Sequence, residues 1–329
     1  MLLKLSGLRI RSKTCGVFLG GLIGDAVGAP LNHRHYSISD ADIVAAFYLP
    51  GGGMLDLKPA QITDEGELML VLAHTLSSME DRTVFPLDDV ARAYSAWYRT
   101  KPPDIMRQCE AAFRGRSGGE AAAQMRRSVA RLYAESTANS LLTRAAVIAI
   151  WSPLESVTLN IRKDASLTHP NRVAQDVAAI YGVAITLLIR GYAPASVLSA
   201  IDEYLSFSDI VPQVRIWYRE NSRVWPEDCR EDRNSIMHGF VLSFYSLRRI
   251  AEPVAEEDGF DSYESIIKKV LKCGGNTDSN AATVGAMIGA IYEPSPELVE
   301  KVEGAKTGRP SFCRSSSARE VADILSAGY

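Results

Sequence analysis

Cysteine is scarce. The chain has five thiols (Cys15, Cys109, Cys229, Cys273 and Cys313), odd in number and scattered, with no C-x-x-C pair. Neither a disulfide framework nor a zinc ribbon is implied, and a reducing, cytoplasmic setting is expected. A basic excess is also missing. The net charge of -3 gives no reason to expect a nucleic-acid partner, and local runs such as "MRRSVAR" read as solvated helix faces. The opening "MLLKLSGLRIRSK" is too short and too broken by charge for a signal peptide. No window is expected to reach the apolar length of a membrane span, so no membrane partner is foreseen. Alternating strand patterns are scarce, and a low-complexity linker and an internal repeat of solenoid length are lacking.

Helical patterning fills the rest. Apolar residues make up 47% of the chain and charged residues 23%, the balance of an ordinary globular protein. Alanine, leucine and arginine recur at three- and four-residue intervals in 86–99, 119–134, 172–190, 196–206, 236–251 and 261–272. Prolines at 102–103, 170, 194, 212 and 226, with "GGG" at 51–53, punctuate these segments. The expectation is an all-α fold in a single domain over 1–329. Its core would span about 14–292, with 293–329 a polar surface segment before a short final helix, "AREVADILSA".

Three stretches depart from this pattern. In "GVFLGGLIGDAVGAP", Gly16, Gly20, Gly24 and Gly28 fall every four residues, although each costs roughly 1 kcal/mol in a helix against alanine. Close helix contact would explain them, and so would a backbone approached by a ligand; the polar Asp25 favours the ligand. In "QITDEGELMLVLAHTL", Thr63, Asp64 and Glu65 place a hydroxyl and two carboxylates where an apolar helical pattern begins. On spacing alone a helix cap with acidic first-turn residues is the preferred account of them.

"GGNTDSNAAT" (274–283) has the same grammar: Thr277, Asp278 and Ser279 precede a helix bearing Gly285 and Gly289. Were the two clusters to converge, their ligands would be all oxygen: Thr63, Asp64, Glu65, Asp278, Ser279 and the amide oxygen of Asn276. Such donors suit magnesium, manganese or calcium and not zinc. The "HRH" at 33–35 lacks partner ligands at zinc spacing, and no P-loop, G-x-S-x-G elbow or EF-hand appears.

With these residues in view the chain resembles the ADP-ribosylglycohydrolase family. "GGLIGDAVGAP" looks like its G-D-A-x-G-x-P signature, "ITDEGELML" like its T-D-D metal motif, "SLTHP" (166–170) like its T-H motif, and "GGNTDSNAATVGAMIGA" like its G-G-D-T-D-T motif. "TANSLLTRAAVIAIW" is a weaker match to a glycine-asparagine-glycine loop. The resemblance implies an all-α hydrolase that releases ADP-ribose from a protein side chain or small molecule. It implies Mg2+ or Mn2+ as cofactor, two ions by the family pattern or one if binding is weakened. Thr63, Asp64 and Glu65 would face Asn276, Asp278 and Ser279 across the metal, with Asp64, Glu65 and Asp278 catalytic. Asp25, Asn32, Asn139, Ser140, His169, Gly274 and Gly275 would contact substrate, the amides near Asn139 and Ser140 holding the diphosphate.

Four positions depart from the family pattern. Glu65 replaces an aspartate, Ser279 a threonine, Asn276 an aspartate and Asn32 a glutamate that commonly follows the first signature. Glutamate and serine retain donor atoms, whereas the asparagines do not retain charge. Fewer charged ligands weaken binding in an oxygen site. Loss of a general acid or base costs about two to four orders of magnitude in rate, and Asp25, Asp64 or Glu67 are candidate stand-ins. A nucleotide-binding member with weakened catalysis is therefore the alternative reading, and a purely structural helical protein the third.

Overall fold

The computed structural model describes residues 7–32, 34, 36–116, 118–253 and 259–327. Among these, sixteen α-helices account for the architecture, and the only β pairing is in two isolated bridges, Gly52–Leu57 and Ala138–Ser235. The helices are α1 (Gly7–Gly28), α2 (Asp40–Ala46), α3 (Asp64–Ser77), α4 (Leu87–Arg99), α5 (Arg107–Phe113) and α6 (Ala121–Leu132). Then come α7 (Leu142–Trp151), α8 (Val157–Ala165), α9 (Arg172–Ile189), α10 (Pro194–Phe207), α11 (Pro212–Arg219) and α12 (Ile236–Ala251). The chain ends with α13 (Tyr263–Lys272), α14 (Thr277–Gly289), α15 (Pro296–Glu303) and α16 (Ala318–Ser326).

The glycine periodicity finds its reason in the α1–α14 pair. Built onto Gly16, Gly20 or Gly24, a Cβ would sit 2.1, 2.2 and 2.1 Å from the carbonyl oxygens of Gly289, Gly285 and Ala281 respectively. Residue numbers rise along one helix as they fall along the other, so the two run antiparallel, backbone against backbone. The glycines thus serve close helix contact and not a ligand, against the sequence expectation. At the far end Thr277 Oγ1 donates to the Gly28 carbonyl at 2.8 Å, fixing the start of α14 against the end of α1.

Two helical segments do reach the apolar length of a membrane span, contrary to expectation: Gly7–Leu31, with mean hydropathy 1.4, and Arg172–Ile189, with 1.5. Here they are the interior helices, with 94% and 83% of those windows buried inside the protein. Around them α7, α12 and α3 complete the core.

Among its described residues, which run to 327, the segment expected at the surface over 293–329 is also not an appendage. Leu298, Val299, Val302, Cys313, Val321 and Leu325 are buried, and α16 packs on α1 and α3. The Arg309 guanidinium in this segment reaches the buried Glu67 carboxylate at 2.6 and 2.8 Å. Charge on a segment that closes over the core led the sequence reading to place it outside.

Candidate active site

The two acidic motifs meet. Ser279 Oγ, in the first turn of α14, donates to Glu65 Oε1, in the first turn of α3, at 2.6 Å, and Thr143 Oγ1 of α7 donates to Glu65 Oε2 at 2.8 Å. Three helix starts therefore converge, and acidic side chains there lie at the positive ends of the helix dipoles.

Neither motif is explained by capping with its own side chains. Thr63 stands at the N-cap of α3 but caps nothing; its hydroxyl donates to Asp25 Oδ1 at 2.7 Å. The helix start is held instead by Asp25, whose Oδ2 accepts from the amides of Thr63 and Gly66, both at 2.8 Å. Asp25 is thus placed as a buried cap and not as a substrate contact, and the Thr63 oxygen keeps lone pairs for another partner. Asn276, the N-cap of α14, likewise makes no side-chain cap.

The carboxylates are crowded and buried. Burial pushes Glu65 up to about 7, despite the opposing hydrogen bonds from Ser279 and Thr143. Asp278 is pushed up to about 6, first by burial and then by the charge of Asp104. Asp64 lies well above the usual carboxylate range, through burial and the charges of Glu65, Asp104, Asp278 and Asp25. Asp25 is raised by burial and by Asp278. Carboxylates that raise one another's proton affinity in this way are stabilised by a shared cation.

The residues fit such a group in a specific way. Asp64 Oδ2 and Asn276 Oδ1 are buried and receive no hydrogen bond, an expensive condition unless something else meets them. Among the described residues no three His, Cys, Asp or Glu side chains converge closely enough to hold a metal by themselves. A cation here would need the neutral oxygens of Thr63, Ser279 and Asn276 as well, a donor set for a hard ion.

The remaining expected contacts fall at varied distances from this centre. Asn32 touches it directly, its Nδ2 lying 2.8 Å from both Asp278 oxygens. Asn139 is buried and donates to Asn280 Oδ1 at 2.8 Å, while Ser140 accepts from Gln108 at 3.1 Å. His169 is fully enclosed, with Nδ1 at 2.8 Å from Thr168 Oγ1 and Nε2 at 3.3 Å from Gln108 Nε2. Burial and the Arg144 charge push it down to about 3, so it is a neutral, positioned ring, the arrangement of a structural histidine. Gly274 and Gly275, with φ of 68° and 77°, are required by the path of the loop, and a Cβ on Gly275 would lie 2.1 Å from the Cys229 carbonyl. Glu67 is held by Arg309 and by Trp97 Nε1 at 2.6 Å, which removes it as a stand-in acid. His33 and His35 lie outside the described residues.

Three participants were missed from sequence. Thr143 lay within the weakest motif match. Asp104, whose charge acts on both Asp64 and Asp278, sits after two prolines in "KPPDIM", and a carboxylate on so stiff a loop is a signal that could have been used. Arg233, which donates to Asn32 Oδ1 at 3.0 Å, lies in the charged stretch "DCREDRNS" and reads as surface.

The all-α scaffold thus gathers buried carboxylates, hydroxyls and amides at the starts of its helices. The family model for ADP-ribosylglycohydrolase matches residues 6–317, and the chain belongs to that family of enzymes, which hydrolyse ADP-ribose linkages. A putative ADP-ribosyl glycohydrolase of Acanthamoeba polyphaga mimivirus is 24% identical over 303 residues, 86% of this chain and 88% of the relative. The ADP-ribosyl-[dinitrogen reductase] glycohydrolase of Rhodospirillum rubrum is 28% identical over 114 residues, 33% of this chain and 36% of that one. A solved structure titled "ADP-ribosylglycohydrolase-related protein complex" matches in fold with TM-score 0.74 and 19% identity, covering 97% of this chain and 98% of that one.

Proposed function

We propose that the protein is a divalent-cation-dependent hydrolase cleaving the bond between the anomeric carbon of ADP-ribose and an acceptor. An ADP-ribosylated protein side chain is the acceptor class we favour, and magnesium or manganese the cofactor. We also read the chain as one domain working in a reducing, cytoplasmic setting. The observation that supports the reading most is the Ser279–Glu65 hydrogen bond of 2.6 Å, which joins the motifs beside the partnerless oxygens of Asp64 and Asn276.

Asp64, Asn276, Thr63 and Ser279 would hold the ion, with Glu65 and Asp278 adding charge. A bound divalent ion supplies polarisation of ribose hydroxyls and a more acidic water. The chain's own groups supply the rest. Glu65, poised near neutrality, takes a proton from an attacking water or returns one to the leaving group. The negative field of Asp64, Asp104 and Asp278 stabilises the positive charge that develops on the sugar in an oxocarbenium-like transition state. Beside Asn32 opens a groove of about 450 Å³, lined also by Arg34, Tyr36, Asp42 and Met54, where the acceptor would lie.

The test is incubation with ADP-ribosylated arginine and serine peptides and with O-acetyl-ADP-ribose, with magnesium or manganese. Release of ADP-ribose from one of them is expected, and release from none by folded protein overturns the reading. A second reading, a binder of ADP-ribose with weakened turnover, is favoured by Asn32, whose amide faces Asp278 where an acid is expected. Calorimetry with ADP-ribose separates the two: heat of binding without turnover selects the binder.

A further inference from the structure

Asn32 and Asn276, the two neutral substitutions, are tied to neighbouring residues of one short loop. Arg233 Nη2 donates to Asn32 Oδ1 at 3.0 Å, and Asn276 Nδ2 donates to Asn234 Oδ1 at 3.4 Å. The loop is pinned on both flanks. Asp232 takes a left-handed φ of 46°, Ser235 caps α12 through the Met237 amide, and the Ile236 amide donates to the Thr137 carbonyl at 2.8 Å.

The Arg233 contact determines which way the Asn32 amide faces. A guanidinium has donors only, so the atom it meets is the carbonyl oxygen, and the NH2 group is turned to Asp278. There Nδ2 lies 2.8 Å from each carboxylate oxygen, and the Ser279 amide is a second donor to Oδ1 at 2.8 Å. An amide N–H aimed across both oxygens repels a cation approaching from that side. The guanidinium behind it adds fixed positive charge, which also opposes a second cation. Towards α3 the situation is reversed: Asp64 Oδ2 meets no donor, and Asn276, with its NH2 committed to Asn234, keeps Oδ1 partnerless.

We propose that this protein holds a single divalent cation, on the Asp64 side of Asp278, and that Arg233, acting through Asn32, stands in for a second. Arg233 is in this sense a positioning residue that sets the metal stoichiometry. The inference rests on the cation-dependent reading of the site but asks a separate question, how many ions are bound.

The experiment is titration of the purified chain with Mn2+, the free ion being read by electron paramagnetic resonance and the bound ions by their spin coupling. One ion per chain with no coupled signal is expected. Asn32→Glu combined with Asn276→Asp is expected to take up a second ion and show coupling. Arg233→Met alone should open a second, weaker site, and unchanged stoichiometry in that variant overturns its assignment. Two coupled ions in the natural chain overturn the single-ion inference while leaving the hydrolase reading intact. No bound ion at any concentration overturns the cation-dependent reading and this inference with it. Should the double variant fail to fold, the natural chain's stoichiometry still decides.

Discussion

Asp25 caps the helix that Thr63 begins. The Asp25 carboxylate accepts the Thr63 hydroxyl at 2.7 Å and the Thr63 and Gly66 amides at 2.8 Å, so the start of α3 is fastened to the last turn of α1. Since α1 lies along α14 through the glycine contacts, one carboxylate links both halves of the acidic centre. Fold and site share this joint, and the first prediction concerns it.

Asp25→Ala leaves two buried backbone amides and a hydroxyl without their acceptor. Hydrogen bonds to a charged group are worth about 1.5–3 kcal/mol each, and their loss is offset in part by relief of burying Asp25 beside Asp278. A net loss of about 3 kcal/mol is expected in urea denaturation, with weaker Mn2+ binding because Thr63 and Asp64 lose their anchor. Unchanged manganese affinity in folded variant would contradict the link.

The glycine stripe makes a sharper demand. On Gly20 a Cβ would come within 2.2 Å of the Gly285 carbonyl oxygen, a backbone atom that no rotamer change can move. Gly20→Ala should destabilise by about 3 kcal/mol, the upper end of overpacking effects. A Cβ on Gly119 meets nothing within 4 Å, so Gly119→Ala should stay within about 0.5 kcal/mol of the natural chain. Equal denaturation midpoints for the two variants would refute close packing as the reason for the stripe.

Arg309 tests whether the C-terminal segment belongs to the core. Glu67 is fully buried and accepts from Arg309 at 2.6 and 2.8 Å and from Trp97 at 2.6 Å. Arg309→Met strands a buried charge and should cost about 3–5 kcal/mol, whereas adding Glu67→Gln should recover much of that loss. A double-mutant cycle by chemical denaturation measures the coupling, and strictly additive effects would mean that the pair is not formed.

How far the sequence could be read depended on the range of the interaction. The patterns in 86–99, 172–190 and 236–251 match α4, α9 and α12 to within a residue or so, because apolar spacing along a helix is local information. The acidic clusters were visible too, since Thr63–Glu65 and Thr277–Ser279 are contiguous. What could not be read was pairing across the chain. Glycines at four-residue spacing are present in both α1 and α14, yet nothing local says that they face each other. Arg309 and Arg233 look like ordinary surface charges until the fold brings Glu67 and Asn32 to them. His169 was drawn towards substrate by a motif, and its burial among Thr168 and Gln108 is a tertiary fact.

Acidity provides the last prediction. Glu65 and Asp278 are raised in the folded chain to about 7 and about 6 from ordinary values of 4.5 and 3.8. Between those limits the folded state binds more protons than the unfolded one. Their contribution to metal-free stability is therefore complete below the unfolded values and lost as pH rises through 6 and 7. His169, pushed down to about 3 from 6.5, works in the opposite direction across much of that window, so the informative quantity is a difference between chains. With chelator present, the melting temperature of the natural chain should fall relative to Glu65→Gln as pH rises from 5 to 7.5, values chosen to bracket the shifted carboxylates. Manganese should reverse the trend, because ligation takes the deprotonated carboxylates and favours the folded state by about 2.7 kcal/mol at a hundredfold excess over Kd. Parallel pH profiles for the two chains, unaffected by manganese, would show that Glu65 is not one of the groups whose proton the cation displaces.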